Sequence, residues 1–450
     1  MPPVRRTRTL ARSLLVALFV VLVARLLILA AVTPDPPAFQ VHTRAVEVDA
    51  ARHVRRVGAS WARMRAGIRQ VHLQGTPEEI GDAHARLLRP EMIQNERALW
   101  DVFQTFVPTR PLRTVVIDIA RLRFSGLDAS IEYARRAELA AAAQAFRPDP
   151  FENQLPTYAR FLMLNALYDV SLSFEHSPLI GCSSVFVSGA SGPLLGRNFD
   201  FEAHEVFDRE KAVLVFSETG KIPVLSVAWP GLSGVVTGMN AEGVAAVVHG
   251  ARAGSPSASG QPVLLTLREA LANASTADAA AKWLADRQPI VSHMILVADA
   301  AGRSLVVERV PGAPAYIRVG AERLALSNHL EGPSAHDPAN LRVRETTSTL
   351  ARRKRLDVLL QDRSVPLDEP GLLRILRDHR DSEGRELPRG DRRAIDADIA
   401  THGVVMNLRE RTIWVSQGPH LSGQFVRFDL ARWVTDPEAE SRREGWQALP

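Results

Sequence analysis

Apolar positions along this chain change their spacing near residue 182. Between about residues 51 and 175 they recur at intervals of three and four, the period of a helix with one buried face. Ile80, Leu87, Leu88 and Met92 follow that spacing. Ahead of them, Gly75-Thr76-Pro77-Glu78-Glu79 forms a helix start, with Thr76 as N-cap, Pro77 in the first turn and Glu79 closing a capping box. Residues 137–145 and 158–167 continue the helical character. From Cys182 the period drops to two. Residues 183–188 and 194–201 flank the turn Gly189-Ala190-Ser191-Gly192 and predict a hairpin. Short β-runs follow at 212–216, 224–229, 235–237 and 244–249. Residues 264–284 predict an Ala-rich helix, and 294–298 with 304–310 a second hairpin. Two more helices are expected at 349–360 and 370–379, then closing strands at 404–408, 412–416 and 424–428. Helices first, then strand groups with helices between, predict a layered α+β domain.

The first 33 residues follow another rule. Arg5, Arg6, Arg8 and Arg12 precede an apolar run at 14–24, then Arg25, a second run at 26–32 and a Pro-rich exit. That order describes a signal peptide or signal anchor. The apolar span, about 20 residues, is long enough for a bilayer, although Arg25 in its middle costs roughly 2.5–3.5 kcal/mol on insertion scales. No Ala-x-Ala cleavage site follows it, which favours an uncleaved, single-pass anchor with its Arg-rich end in the cytoplasm. Cleavage would leave a periplasmic or extracellular protein instead. Either way the body is exported. The plan is a leader at 1–33, a polar linker at 34–50, a helix-rich part at 51–181 and a catalytic part at 182–450.

Composition narrows the function. The chain has 450 residues, 46% hydrophobic and 23% charged, as a globular protein with a sizeable core has. All of its net charge of +5 lies in the leader, so the body is balanced at 50 basic and 50 acidic residues. A nucleic-acid partner would need a basic surface, and only Arg352-Arg353-Lys354-Arg355 clusters, as a solvated helix face would. One cysteine, Cys182, forbids an internal disulfide. A lone thiol in an exported chain is a liability unless buried or used.

Cys182 opens one strand of the predicted hairpin, and Arg197 and Asp200 lie near the end of the other, so the turn returns both beside the thiol. A guanidinium there lowers the thiol pKa, and Arg197 with Asp200 three residues on suits a compact charge-assisted pair. No conventional base belongs to this set. A cut before Cys182 would supply one: the new α-amine, with an ordinary pKa of about 7.7–8.0. Gly181 leaves room for the thiol to attack its carbonyl.

These residues resemble a family. Cys182-Ser183-Ser184 followed by Gly196-Arg197-Asn198-Phe199-Asp200 is similar to the cysteine N-terminal-nucleophile hydrolases, nearest the acyl-coenzyme A:6-aminopenicillanic acid acyl-transferase branch. Bile-salt and penicillin V hydrolases, acid ceramidase and phospholipase B-like proteins are related to it. The resemblance extends to residues 74–81, to the Gly-x-Asn-x-x-Gly turn at Gly238-Met239-Asn240-Ala241-Glu242-Gly243, and to Ser327-Asn328-His329. It implies a four-layer αββα fold and an exported, self-cutting amide hydrolase or acyltransferase that needs no cofactor or metal. Cys182 would be the nucleophile and Arg197 and Asp200 its orienting pair. Asn328 would be an oxyanion donor, with the backbone near His249 as the second. The family's later arginine falls on Arg352, with Arg353 and Arg355 as neighbouring alternatives. The substrate would be a small acyl amide or a lipid.

Plainer readings stand beside these. Isolated cysteines are usually buried structural thiols; Arg197 with Asp200 fits a turn salt bridge, and Asn328 a turn. His84, His249, His329, His336 and His402 lack zinc-motif spacing and read as core or surface residues. Trp229-Pro230-Gly231 fits a pocket wall or the core. A phospholipase B-like or ceramidase-like lipid hydrolase remains an alternative activity, and an inactive membrane-anchored binding protein an alternative class.

Overall fold

The computed structural model describes residue 16 and residues 19–450, apart from 21, 42, 43, 174–179, 190, 191, 203, 363 and 365. Two β-sheets carry the molecule. The larger has eleven strands, in the order Glu47–Asp49, Val54–Val57, Ser60–Arg65, Ile68–Gly75, Ala212–Glu218, Val224–Ala228, Thr237–Asn240, Ala245–Gly250, His293–Ala298, Ser304–Arg309 and Tyr316–Val319. The smaller has seven: Arg323–Leu326, Ile180–Gly189, Gly192–Phe201, Ala400–Asn407, Thr412–Ser416, Phe425–Asp429 and Ala448–Leu449. Neighbours pair antiparallel, except that Ile68–Gly75 runs parallel to Ala212–Glu218.

The layering follows from period two. In Ala212–Glu218, Val213 and Val215 enter the core shared by the two sheets, while Ala212, Leu214 and Phe216 face the other way. The smaller sheet sends Phe186, Leu195, Val404 and Met406 into that shared core. Its opposite face, through Val185, Val187, Leu194 and Val405, meets Leu356, Leu372 and Leu376 from the helices Thr349–Gln361 and Glu369–Leu376. The outer face of the larger sheet is covered by the helices Pro77–Phe106, Tyr133–Ala145, Thr157–Asn165, Val263–Asn273 and Ala277–Ala285. The order is therefore helix, sheet, sheet, helix, as expected.

The long first helix starts as the sequence indicates, with Thr76 accepting from Glu79 N–H and the Glu79 carboxylate accepting from Thr76 N–H. Two expectations need correction. Residues 51–181 do not begin as helix, because four short strands occupy residues 47–75. In the last of them both faces are buried, which hides its alternation: Gln70 and His72 lie inside beside Val71 and Leu73. The Ala-rich helix at 264–284 is two helices, separated at residues 274–276, where Thr76's counterpart Thr276 caps the second by accepting from Ala279 N–H.

Most of the leader, including its four leading arginines, lies outside the described residues. Residues 22–31 are helical. Among the described residues, no helix is long and apolar enough to cross a membrane.

Candidate active site

The hairpin Ile180–Gly189 and Gly192–Phe201 sets the site by its register. Cys182 lies opposite Phe199, Ser184 opposite Arg197, and Gly181 opposite Asp200. Because Phe186 and Leu195 point between the sheets, so do Cys182, Ser184, Arg197 and Phe199. Cys182 is fully buried. Arg197 Nη2 lies 3.2 Å from its Sγ and donates to Val248 O at 2.6 Å. The other terminal nitrogen, Nη1, donates to Val236 O at 2.5 Å and to Thr237 Oγ1. With its guanidinium also 4.6 Å from the Phe199 ring centroid, Arg197 is fixed by the facing sheet and presents a positive charge to the thiol.

The backbone of Cys182 is held at both ends by side chains. Its N–H donates to Asn328 Oδ1 at 2.9 Å, and its carbonyl accepts from Arg352 Nη1, which also donates to Ser183 Oγ at 3.1 Å. Arg352 Nη2 donates to the same Asn328 Oδ1 at 2.9 Å. The Asn328 amide nitrogen donates to Gly250 O at 3.1 Å, and its backbone N–H donates to Thr349 Oγ1 at 2.8 Å. Of the three neighbouring arginines, Arg352 alone reaches Cys182. Arg353 pairs with Asp357 and Glu331, and Arg355 with Asp378.

Asp200 is brought to the site by another route than the one expected. It makes no ion pair with Arg197, because an odd offset of three along a strand puts the two side chains on opposite faces. It instead approaches Gly181 so closely that a Cβ there would lie 2.7 Å from Asp200 Oδ2. Asp200 Oδ1 is buried without a hydrogen-bond partner. Burial raises the Asp200 pKa against the opposing pull of Arg352.

The thiol also departs from expectation. Burial outweighs Arg197, so the Cys182 pKa is raised in the uncut chain. His249 holds Ser184 Oγ at 2.8 Å through Nε2, and burial with Arg197 and Arg352 nearby drives its pKa well below the ordinary value. Its ring sits between the sheets, so what its strand offers the site is backbone: Val248 O is 3.7 Å from Sγ, and Gly250 O binds Asn328.

Two cavities are lined by chain neighbours of the site, Phe199 in one and Gly181 with Asp200 in the other. One, with an empty volume of about 830 Å³, starts at Phe199 and Val236 and runs between Phe201, Phe207, Trp229 and Leu99. Its aromatic walls touch one another, Phe207 and Trp229 edge to face at 5.6 Å. His84 accepts from Gly231 N–H at 3.0 Å and so secures the Trp229-Pro230-Gly231 wall from the long helix. Polar groups also line this cavity: Asn95, whose Oδ1 is buried without a partner, and Glu96, paired with Arg160 at 2.5 Å and pushed up to about 7 by burial. The other cavity, of about 1160 Å³, is polar and lined by Gly181, Asp200, Asn328, Arg252, Arg352 and Arg392.

Sequence reasoning missed Thr349, Tyr168, Asn95 and Glu96. The last three sit on helices, at positions that only their place on the cavity wall distinguishes. Thr349 opens the helix that carries Arg352, three residues before it, and that spacing is its one sign in the sequence.

An αββα sandwich whose inner layer begins one strand with a thiol, facing an arginine on the next, has the architecture of N-terminal-nucleophile hydrolases. The chain belongs to the acyl-coenzyme A:6-aminopenicillanic acid acyl-transferase family, whose model matches residues 187–418. The protein is thus a member of a family described as acyl-transferases. The match begins beyond Cys182 in the same strand and takes in Arg197, Asp200, His249, Asn328 and Arg352. Among solved structures, an N-acylethanolamine-hydrolyzing acid amidase ortholog from Caenorhabditis elegans is similar at 15% identity, over 60% of this chain and 100% of that one, with a TM-score of 0.36. A variant of conjugated bile acid hydrolase from Clostridium perfringens is similar at 13% identity, over 60% and 96%, with a TM-score of 0.39. Penicillin V acylase from Agrobacterium tumefaciens is similar at 13%, over 55% and 91%, with a TM-score of 0.35. No curated protein matches the sequence.

Proposed function

We propose that the chain is exported on its N-terminal helix, cuts itself between Gly181 and Cys182, and then hydrolyses or transfers an acyl group from an amide through a thioester on Cys182. The observation that carries this reading is the grip on Cys182. Arg197 faces its sulfur, Asn328 takes its N–H and Arg352 its carbonyl. A merely structural thiol needs none of these.

In the first reaction Sγ attacks the Gly181 carbonyl carbon. The C–N bond to Cys182 breaks as the thioester forms, and the thiol proton passes to the departing nitrogen. Water then hydrolyses the thioester and leaves a carboxylate on Gly181 and a free α-amine on Cys182. That amine inherits the Asn328 Oδ1 contact. It serves as the base that takes the thiol proton in turnover and returns it to the leaving nitrogen. Arg197 favours the thiolate. Two donors suit the oxyanion: the Asn328 amide, worth about 2.7–4 kcal/mol in such sites, and the Gly250 N–H. The latter lies on the same strand edge as Val248 N–H, which reaches Val236 O at 3.2 Å. The apolar cavity suits the acyl part, and the polar cavity with its arginines suits the amine side. Lipid amides fit this division as well as smaller acyl amides do.

Intact-mass analysis tests the reading. A C-terminal chain of 269 residues beginning at Cys182 is expected, together with labelling of Cys182 by a thiol-directed acyl probe. An uncut, unlabelled chain would overturn the enzyme reading in favour of a binding protein of the same fold.

A further inference from the structure

The surface around the N-terminal helix has a composition that water does not favour. The helix Arg110–Arg123 has no buried residue. Leu112, Val115, Ile119 and Leu122 recur along it at intervals of three, four and three, which puts them in one stripe, and each is between 46% and 57% exposed. Phe106, at the end of the preceding helix, is exposed as well. By helical spacing, Arg110, Arg113 and Arg121 lie on the opposite side of the helix and Arg123 at the edge of the stripe.

Beside it lies the helix at 22–31, on which Leu22, Leu26, Leu27 and Ile28 are exposed and Leu29 is buried. Polar contacts join the two. Arg25 Nε and Nη2 donate to the Asp118 carboxylate at 2.6 and 3.1 Å. Arg121 Nη2 donates to Leu29 O at 3.1 Å and to Thr33 Oγ1 at 2.6 Å. The charge that interrupts the apolar leader therefore has its counter-ion on the neighbouring helix.

The geometry points to a bilayer seat: Arg110–Arg123 lies in the plane of a membrane with its Leu112–Val115–Ile119–Leu122 stripe among the acyl chains, fixed to the leader helix by the Arg25–Asp118 pair. Lipid is the occupant the features fit. A partner protein covers one face of a helix, whereas the leader helix is apolar round most of its circumference and continues an apolar sequence that starts at residue 14. Arginines on the polar face, opposite an apolar stripe, complement anionic headgroups, as on helices that lie in an interface. The inference rests on the leader being retained, and is independent of the chemistry at Cys182.

The test uses the full chain carrying Cys182→Ser, which removes the native thiol, with one new cysteine at a time: Ile119→Cys on the stripe, Thr114→Cys off it, and Leu27→Cys on the leader helix. Each is labelled with an environment-sensitive nitrobenzoxadiazole dye and mixed with vesicles of phosphatidylcholine containing a minor share of phosphatidylglycerol. The proposal expects blue-shifted emission, quenched by nitroxide lipids, at positions 119 and 27, with water-like emission at 114. A lipid-exposed 27 with water-like 119 would overturn the seat and leave the anchor standing. Water-like emission at both would remove both. Blue-shifted emission at 119 without vesicles, with a mass that rises with concentration, would assign the stripe to a second copy and overturn the proposal.

Discussion

The two cavities on either side of the Phe199–Asp200 step are opposites. One is walled by aromatic rings and leucines, the other by Gly181, Asp200, Asn328 and three arginines among its lining. A thiol in apolar surroundings alone would be inert, and one in a wet cationic cleft alone would have nothing to hold an acyl chain. The difference teaches that burial and charge are divided across a single strand. Phe199 and Asp200 are adjacent in the chain, and period two sends the first towards the acyl side and the second towards the polar side.

The largest expected effect comes from removing the thiol itself. Cys182→Ala should abolish both the cut and acyl labelling, read by intact mass. Asn328→Ala comes next, because one side chain holds Cys182 N–H and offers the oxyanion donor. A loss of about 10²–10³-fold in kcat is expected in steady-state assays, and an unchanged kcat would remove Asn328 from the chemistry. Leu99→Trp separates the two sides: filling the apolar cavity should raise KM for long acyl chains by about tenfold while the rate of cutting stays the same. A change in both would mean that the cavities are not independent.

Two pH effects follow. Since burial raises the thiol pKa, the uncut chain holds it protonated at neutral pH. The cutting rate should therefore rise about tenfold per pH unit up to and beyond the ordinary thiol range of about 8.5, and Arg197→Gln should move the curve to higher pH. The smallest effect concerns Glu96. Its pKa is raised to about 7, so the carboxyl is neutral below that value and becomes charged beside the apolar cavity above it. The stability it contributes is fully present below the ordinary glutamate pKa and is lost as pH rises through 7. Glu96→Gln should flatten that decline in Tm and, with it, a fall in affinity for apolar acyl groups; an unaltered slope would show that Arg160 already neutralises the position.

Much of this was legible in the sequence. Turn residues and a change of period located the hairpin that bears Cys182, and a capping box located the long helix. What was not legible depends on neighbours remote in sequence. The strands at residues 47–75 carry no clean alternation because Trp61 stacks on Trp433 at 5.6 Å and Arg65 pairs with Glu440, so that polar and apolar positions are buried alike. The supposed Arg197–Asp200 pair failed for a local reason that strand geometry already contains. The walls of the apolar cavity come from helices before Cys182 and from a strand, a loop and further helices after it, a juxtaposition that no spacing encodes.

Those early strands have a further consequence. Ile68–Gly75 runs parallel to Ala212–Glu218, from Arg69 opposite Ala212 to Gly75 opposite Glu218. Buried ion pairs cross the same divide, Arg135 with Glu218 and Glu138 with Arg268. A chain cut before Cys182 would therefore hold together as two pieces of one sheet. It would also lose its way back. The intact chain can refold from a single molecule, whereas the cut protein, once unfolded, must find its other half in solution, at a rate that depends on concentration. Maturation of this kind makes the molecule's shape a product of its history: durable while folded, and difficult to restore once lost.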